Sequence, residues 1–250
     1  MTHQFANYPS LSGRAVLVSG GATGIGAEIV GAFAQQGAKV AFLDFDRDAG
    51  NALADDLGVA FEYCDLRDIH ALRAGVSALR ERVGPFSFLV NNAARDDRHD
   101  WQDVTPEFWD ERMATNLRHH FFAAQAVAPD MIEQGGGAIV NMGSVSWWEA
   151  MGNFPAYATT KAAVHGLTRT LARDLGGHNI RVNTVVPGHI MTQRQKDLWS
   201  PPEFLQARKE RQCLPTLIEP EFVARMVLFL CSDDAAMCSA HNYFVDGGSV

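Results

Sequence analysis

Short apolar segments alternate along the chain with longer segments in which apolar residues recur at helical spacing. The short segments are rich in Val, Ile, Leu and Phe, as is typical of buried strands. We predict seven strands, at Ala15 to Ser19, Lys39 to Leu43, Ala60 to Cys64, Ser87 to Asn91, Ala138 to Met142, Arg181 to Val186 and Asn242 to Val245. Strands that alternate with helices form parallel sheets. The pattern therefore predicts a doubly wound α/β fold with seven parallel strands and helices on both faces.

Two of the predicted helices are long, and each begins at a proline, which suits a first helical turn. They run from about Pro106 to Gln134 and from about Pro155 to Leu175. The segment from His189 to Leu214 breaks the alternation of strands and helices and contains two consecutive prolines. Irregular segments of this length are commonly functional, so we expect residues 189–214 to form a mobile substrate lid.

The length and charge of the chain limit the possible functions. A chain of 250 residues without a linker, repeat or low-complexity stretch is expected to form a single domain over residues 1–250, with residues 1–11 as an N-terminal arm. Lys and Arg number 21 against 29 Asp and Glu, a formal net charge of −8 at pH 7. Such a surface repels phosphate backbones and anionic membranes. We expect a small-molecule substrate and neither a nucleic acid nor a membrane as partner.

The cysteines and the N-terminus bear on the location of the protein. Neither the cysteines nor the neighbouring histidines of the chain have the spacing of metal ligands. These residues are Cys64, Cys213, Cys231, Cys238, His99, His119 and His120. No basic start with an apolar core opens the sequence, and no apolar run reaches about eighteen residues. We expect a cytoplasmic protein with reduced thiols, no bound metal, no export signal and no membrane span.

A glycine-rich turn follows the first predicted strand and leads directly into a predicted helix. It runs from Ser19 as SGGATGIG, and Gly20, Gly24 and Gly26 have a GxxxGxG spacing. Glycines let the backbone approach a pyrophosphate, and a helix N-terminus supplies free N–H groups and partial positive charge. The position between strand and helix favours a dinucleotide site of a Rossmann fold over the alternative, a plain turn.

An acidic residue, Asp44, follows the second predicted strand, near the offset of about twenty residues at which a carboxylate reaches the ribose hydroxyls. A carboxylate there accepts hydrogen bonds from NAD and repels the additional phosphate of NADP. The alternative is an aspartate that only caps a loop. We therefore expect NAD as the cofactor. Because Arg47 lies three residues on and is placed to meet that phosphate, NADP is a weaker alternative.

Tyr157 and Lys161 are four residues apart in the second long predicted helix, so both side chains lie on one face. A free tyrosine has a pKa of about 10, so a tyrosine base needs a neighbouring cation near neutral pH. Ser144 follows the fifth strand at the carboxyl edge of the sheet, where ligands bind in open α/β folds. The three residues predict proton removal from a carbinol, although the pair alone is also typical of a solvated helix face.

With these motifs together, the sequence resembles the short-chain dehydrogenase/reductase family over nearly its whole length, from about Ser12 to Gly248. Further matching motifs are CDL, which contains Asp65, the stretch NNAA from Asn91, and a Pro-Gly pair after the sixth strand. Two departures are Ser19 for the usual threonine and Ala94 for glycine. Neither removes a chemical group that the reaction needs, although alanine narrows the permitted backbone angles.

The resemblance implies a catalytic set of Asn116, Ser144, Tyr157 and Lys161. Tyr157 removes the hydroxyl proton while hydride passes to the nicotinamide, and Ser144 polarises the substrate oxygen. Lys161 holds the ribose and lowers the tyrosine pKa, and Asn116 positions a water that relays the proton. The implied cofactor-binding set is Gly20, Thr23, Gly24, Ile25, Asp44, Asp65, Leu66, Asn92, Ala93, Tyr157, Lys161, Pro187, Gly188, Ile190 and Thr192. The family usually forms tetramers, so a homotetramer is expected.

Two stretches lie where a substrate is expected, RDDRH from Arg95 and SWWE from Ser146. Polar groups beside aromatic faces suit a sugar better than a steroid or an acyl chain. With WDER, NLRH and QAVAP, these stretches resemble bacterial aldose 1-dehydrogenases of this family, those that oxidise D-xylose in particular. The resemblance implies oxidation of the anomeric C1 hydroxyl of xylose, arabinose, galactose or a similar aldose to the aldonolactone. The expected substrate contacts are Ser144, Ser146, Trp147, Tyr157 and His189.

Other interpretations remain open at the level of sequence. Residues 95–99 also fit a salt-bridged loop, and Trp147 or Trp148 also fits the core or a subunit contact. Another secondary-alcohol or polyol dehydrogenase, or a 3-oxoacyl reductase, is the alternative enzyme, and Asp44 counts against the reductase because biosynthetic reduction normally uses NADPH. A non-catalytic NAD-sensing module would have a damaged catalytic set, whereas all four residues are present.

Overall fold

The computed structural model describes residues 4–250, and seven strands in that range form one parallel sheet. The strands are β1 Ala15–Ser19, β2 Lys39–Asp44, β3 Ala60–Tyr63, β4 Phe86–Asn91, β5 Gly137–Met142, β6 Ile180–Pro187 and β7 Asn242–Val245. Their order across the sheet is β3-β2-β1-β4-β5-β6-β7. The predicted doubly wound fold is confirmed, and each predicted strand end agrees to within one residue.

Helices connect the strands and cover both faces of the sheet. The helices are α1 Gly24–Gln35, α2 Arg47–Leu57, α3 Ile69–Val83, α4 Pro106–Met113, α5 His119–Glu133, α6 Pro155–Leu175, α7 Gln193–Trp199, α8 Pro202–Arg211 and α9 Pro220–Cys231. Helices α1, α2 and α9 pack on one face, and α3, α5 and α6 pack on the other. Alternate strand residues serve the two cores, since Val16 and Val18 face one and Leu17 faces the other.

The long helix predicted from Pro106 to Gln134 is present, but a π-helical turn at Ala114–Arg118 divides it into α4 and α5. Its start is set by Thr105, whose hydroxyl accepts a hydrogen bond from the N–H of Phe108. A π-turn adds one residue to a helical turn and is frequently found at functional sites. Here it places Asn116 inside the molecule, with no exposed surface.

The segment 189–214 is more regular than predicted, because it contains helices α7 and α8. The hydroxyl of Thr192 accepts a hydrogen bond from the N–H of Gln195 and caps α7, and Pro202 begins α8. We refer to residues 189–214 as the lid. It lies over the carboxyl edge of the sheet and contributes residues to the cleft described below.

Residues 1–3 of the predicted N-terminal arm lie outside the described residues. The rest of the arm is tied to the domain, since the N–H of Tyr8 donates to Gln36 at 2.7 Å and Leu11 is fully buried. None of the four cysteines is in a disulfide. Within residues 4–250, no helix has the length and apolar character needed to cross a membrane, and no cluster of three potential metal ligands occurs.

Candidate active site

A cleft of about 420 Å³ lies at the carboxyl ends of the strands. It opens where β1 neighbours both β2 and β4, the position at which the strand order reverses. Open α/β sheets bind their ligands at this switch point. The glycine turn, the ends of β2, β4, β5 and β6, helix α6 and the lid all contribute to its walls.

The glycine turn packs too tightly for side chains. Gly20 has a φ of +67°, and a Cβ atom there would lie 2.7 Å from the Cα of Ala93. A Cβ on Gly26 would lie only 1.8 Å from the carbonyl oxygen of Gly20. Gly24 also has a positive φ, of +58°, at the first residue of α1. These positions need glycine for backbone conformation and for the close packing of α1 on the turn.

The N-terminus of α1 suits an anion. The N-cap residue Thr23 accepts no hydrogen bond from the first turn with its side chain, so N–H groups remain for a phosphate. Ser19 holds the opposite wall, because its hydroxyl accepts from the N–H groups of Asn92 and Ala93 at 3.1 and 3.3 Å. This is the hydroxyl that Ser19 shares with threonine. Ala94 has no positive φ and therefore meets no backbone penalty.

The carboxylate of Asp44 is fixed on the cleft wall by two backbone groups. Its Oδ2 accepts from the N–H of Ala22 at 2.9 Å and its Oδ1 from the N–H of Asp46 at 3.0 Å. Arg47 stacks on the ring of Tyr63, with its guanidinium carbon 4.2 Å from the ring centroid. Arg47 is not among the residues that line the cleft, so it does not compensate the negative charge of Asp44 there.

Asp65 and Leu66 extend the same wall beyond β3. The carboxylate of Asp65 forms an ion pair with Arg67 at 2.6 Å, and this hydrogen bonding lowers the pKa of Asp65. Arg67 also pairs with Glu111 at 3.2 Å. The two pairs fix the side chains of this part of the wall.

Tyr157 lies at the floor of the cleft, with its ring stacked on Phe154 at a centroid distance of 5.4 Å. Desolvation by the surrounding protein raises the pKa of Tyr157 well above its usual value. Asp96 acts in the same direction, whereas Ser144 and Arg98 oppose it. Tyr157 is therefore protonated when no further positive charge is near.

Lys161 is almost completely buried beside Tyr157, and its Nζ lies 5.7 Å from the centroid of the tyrosine ring. Nζ donates a hydrogen bond to the carbonyl of Met142 at the end of β5, at 2.7 Å. Burial lowers the pKa of Lys161 to about 8, and Asp96 opposes that effect. The ammonium group thus keeps its charge near neutral pH and has two further N–H bonds to donate.

Ser144 and Ser146 lie on the loop after β5 and both line the cleft. The N–H of Ser146 donates to the Oγ of Ser144 at 3.1 Å, and the Ser144 hydroxyl also hydrogen-bonds Tyr157, which lowers the pKa of the tyrosine. The Oγ of Ser146 is buried and has no hydrogen-bond partner in the described chain. A substrate oxygen would satisfy such a group.

Asn116 is the predicted catalytic residue that does not line the cleft. Its Oδ1 accepts from the N–H of Arg95 at 2.8 Å, and its Nδ2 donates to the carbonyl of Arg95 at 3.1 Å. The side chain therefore holds the loop after β4 in position. Its water-positioning role stays a prediction.

The loop at residues 95–99 combines both sequence interpretations. Asp97 forms ion pairs with Arg194 of the lid at 2.6 Å and with Arg112 of α4 at 3.0 Å. Asp96 accepts from the side chain of Gln195 at 2.6 Å. Asp96 and Arg98 also line the cleft, so the loop is salt-bridged and contributes to the wall. The ion pairs connect it to the lid.

Trp147 corrects the predicted set of substrate contacts, because it does not line the cleft. Its Nε1 donates to the Nε2 of His165 at 3.2 Å, and its ring packs on Trp148 at a centroid distance of 4.3 Å. Adjacent loop residues point in different directions, and here Ser146 faces the cleft while Trp147 packs on α6. The other predicted substrate and cofactor residues all line the cleft.

Among the cleft residues that sequence reasoning did not assign are Phe154, Met151 and Arg208. Phe154 and Met151 follow the SWWE stretch and gave no separate signal. Arg208 lies on α8, far along the chain, and forms an ion pair with Glu149 at 2.6 Å. Neither the spacing nor the residue types of this pair indicated the contact.

The residues of the cleft fit a nicotinamide dinucleotide. The glycine turn lines the cleft without side chains at Gly20 and Gly26, the free N–H groups of α1 suit a pyrophosphate, and Asp44 presents oxygens suited to ribose hydroxyls. The buried ammonium of Lys161 lies at the other end of the same cleft.

Comparisons with known proteins agree with this description. A family model described as enoyl-(acyl carrier protein) reductase matches residues 20–249. The chain is 46% identical to a D-xylose 1-dehydrogenase of Caulobacter vibrioides, over 97% of this chain and 98% of that protein. It is 45% identical to the "Probable galactose dehydrogenase GalD" of Rhizobium meliloti, over 99% of each.

A solved structure provides the third comparison. A 7α-hydroxysteroid dehydrogenase complexed with NADH and a 7-oxo bile acid superposes with a TM-score of 0.91 and is 33% identical, over 97% of this chain and 96% of that one. The match of fold, cleft and sequence over almost the entire length establishes the relationship. The chain belongs to the short-chain dehydrogenase/reductase family of oxidoreductases.

Proposed function

We propose that this protein oxidises the anomeric C1 hydroxyl of an aldose to the aldonolactone, with NAD as the hydride acceptor. The observation that carries the proposal is the placement of Ser144, Tyr157 and Lys161 in one cleft with the ribose-binding carboxylate of Asp44. The two sugar-dehydrogenase relatives support an aldose as the substrate.

Tyr157 is the proposed general base. Because desolvation raises the pKa of Tyr157, the phenolate needs positive charge beside it. Lys161 provides that charge, with its Nζ 5.7 Å from the centroid of the tyrosine ring. Ser144 donates a hydrogen bond to the substrate oxygen and orients the C1 hydroxyl toward Tyr157. A bound nicotinamide would supply the acceptor for the hydride of C1. Lys161, held by Met142, would donate to the cofactor ribose.

The proposed preference for NAD over NADP rests on Asp44. Both carboxylate oxygens accept backbone hydrogen bonds, which fixes the charge where a ribose 2′ substituent would lie. Arg47 stacks on Tyr63 instead of compensating that charge. A 2′-phosphate would therefore meet an anion.

The substrate end of the cleft favours a polyhydroxylated molecule over an acyl chain. Polar or charged side chains line it from several elements, namely Asp96, Arg98, Ser146, His189 and Arg208. A 3-oxoacyl thioester would leave the buried Oγ of Ser146 without a partner, at a cost of about 1–3 kcal/mol. A polyol dehydrogenase is the alternative that the same residues permit.

The direct test is the appearance of NADH with a panel of aldoses and polyols, run with NAD and NADP in parallel. We expect turnover with at least one of xylose, arabinose and galactose, and higher kcat/KM with NAD. Turnover of polyols alone would favour the alternative. No signal with any aldose would overturn the substrate assignment and leave the family assignment intact.

We further propose a homotetramer in the cytoplasm. The edge strand β7 exposes Phe244, which packs edge to face on the exposed Trp148 at 5.4 Å. Exposed aromatic residues at a sheet edge are common in subunit contacts. Sedimentation of the wild type and of Phe244→Asp tests this, and a monomeric wild type would refute it. The four unpaired cysteines suit a reducing compartment.

A further inference from the structure

His189 lies between the cofactor end of the cleft and the lid. It directly follows β6 and Gly188, and it lines the cleft. Its ring meets Phe204 of α8 edge to face, with the centroids 4.9 Å apart. The orientation of the imidazole is therefore set by the lid as well as by the sheet.

Hydrogen bonding within the lid determines which nitrogen of His189 carries the proton. The Oγ of Ser200 lies 2.7 Å from the carbonyl oxygen of Gln195, and a carbonyl can only accept. Ser200 therefore uses its single proton in that bond. The Nε2 of His189 lies 2.9 Å from the same Oγ, so Nε2 must be the donor.

The remaining ring nitrogen, Nδ1, is a hydrogen-bond acceptor. Burial, with the nearby charges of Arg208 and Arg98, lowers the pKa of His189 to about 4, while Asp96 and Glu149 act in the opposite direction. The neutral ring with its proton on Nε2 has a lone pair on Nδ1. No group among residues 4–250 donates a hydrogen bond to that lone pair.

The network that fixes this tautomer extends to the loop after β4. The backbone carbonyl of Gln195 accepts the hydrogen bond from Ser200. The side chain of the same residue donates a hydrogen bond to Asp96 at 2.6 Å. Asp96 in turn lies on the cleft wall. The acceptor at His189 is therefore preorganised only while α7 is docked on that loop.

We propose that His189 is a specificity-determining residue, whose Nδ1 accepts a hydrogen bond from one substrate hydroxyl other than the one oxidised. This inference rests on the proposed function, since it assigns to an aldose dehydrogenase a residue that recognises one substrate hydroxyl. An acceptor of this kind selects a free hydroxyl against a deoxy or O-methyl position. The substrate class is a sugar with an unmodified hydroxyl at that position.

The experiment measures kcat and KM for the best aldose of the panel and for its 2-deoxy, 3-deoxy and 4-deoxy analogues. We expect the wild type to lose about tenfold or more in kcat/KM with one analogue in particular, as for one lost hydrogen bond. In His189→Leu, kcat/KM for the parent sugar should fall by a similar factor. For that one analogue kcat/KM should stay close to its wild-type value, so the variant no longer discriminates between the two sugars.

Two variants at the same position distinguish loss of the hydrogen-bond acceptor from a change in side-chain volume. In His189→Asn the side-chain oxygen can occupy the place of Nδ1, so selectivity for the parent sugar should be partly restored. In His189→Gln the amide reaches the place of Nε2, and selectivity should stay lost. The exposed His178 provides a matched control, because His178→Leu lies outside the cleft and should behave as the wild type.

The outcomes distinguish the two proposals. A wild type that oxidises no aldose contradicts the proposed function. A wild type that oxidises an aldose, with His189→Leu reducing the parent sugar and every analogue by the same factor, overturns the role of His189 alone. NADH binding, followed by fluorescence, identifies any variant that fails to fold. If the leucine variant fails, the comparison of asparagine with glutamine decides the question.

Discussion

Tyr157 and Lys161 show how burial changes two ionisable groups in opposite directions. Desolvation raises the pKa of the phenol and lowers the pKa of the ammonium group, because in both cases the neutral form is favoured. Asp96 raises the pKa of both groups and so favours the protonated form of each. If Tyr157 is the base, as proposed, a bound oxidised nicotinamide would supply further positive charge to stabilise the phenolate.

Replacing Tyr157 with Phe should abolish catalysis and leave cofactor binding little changed. The phenyl ring keeps the stacking on Phe154, while the base is lost. We expect kcat to fall by at least about a hundredfold. Steady-state kinetics and NADH fluorescence titration measure the two effects. Turnover above about one per cent of the wild type would contradict the assignment of the base.

Asp44→Asn should shift cofactor preference toward NADP. The amide keeps an oxygen for one of the two backbone N–H groups but removes the negative charge. Removal of the negative charge that would face the additional phosphate of NADP should raise the ratio of kcat/KM with NADP to kcat/KM with NAD by about tenfold or more. The exposed Asp48 offers a control, Asp48→Asn, for the general loss of one charge. An unchanged ratio in Asp44→Asn would remove the basis for the predicted preference.

Single residues were predictable where a backbone rule fixed their position. Ser144 and Asp44 follow strands whose ends lie at the carboxyl edge of the sheet, so their place in the cleft followed from the pattern. Trp147 was not predictable, because the direction of a side chain in an irregular loop depends on its packing. The imidazole of His165 provides that packing and turns the indole away from the cleft.

At the scale of elements, the strands were predicted to within one residue because the central ones are buried on both faces and read as apolar runs. The π-turn at Ala114–Arg118 left no such signal. It lies within a continuous helical pattern, and its widening is stabilised by the two bonds between Asn116 and Arg95, which join positions distant in sequence. Tertiary contacts of this kind are not encoded in local periodicity.

Two glycines of α1 predict opposite effects for the same substitution. Gly26→Ala places a Cβ atom 1.8 Å from the carbonyl oxygen of Gly20, so α1 must move off the turn. We expect a loss of about 1–3 kcal/mol or more in the free energy of unfolding, together with weaker NADH binding.

Gly31→Ala on the same helix meets its nearest atom, Cδ1 of Leu57, at 4.0 Å. It should stabilise the protein by up to about 1 kcal/mol, because alanine is the better helix former. Urea unfolding monitored by circular dichroism measures both variants. Equal stability of the two would show that the turn tolerates a side chain at Gly26.

At the scale of the whole molecule, Glu149 joins three segments that are far apart in sequence. It lies on the loop after β5, and its side chain has no exposed surface. It pairs with Arg208 of the lid at 2.6 Å and accepts from the Oγ of Ser249 near the C-terminus at 2.9 Å. Asp246 holds that terminus by accepting from the N–H of Ser249 and Val250. The active-site loop, the lid and the C-terminus therefore form one unit.

Glu149→Gln should destabilise the entire domain, because it leaves the nearly buried Arg208 without its carboxylate. Breaking a buried ion pair on one side costs about 3–5 kcal/mol, which corresponds to a fall in Tm of roughly 10 °C for a chain of this size. The exposed pair of Lys196 and Glu219, at 3.7 Å, provides the control.

Glu219→Gln should lower the free energy of unfolding by less than about 1 kcal/mol, since both side chains of the pair are solvated. Thermal unfolding of the two glutamine variants at one pH and one salt concentration makes the comparison. Loss of lid docking alone would lower kcat/KM for the sugar and leave Tm unchanged in Glu149→Gln. A fall in Tm that greatly exceeds that of Glu219→Gln requires instead that the buried pair supports the fold, with the lid as part of the folded domain.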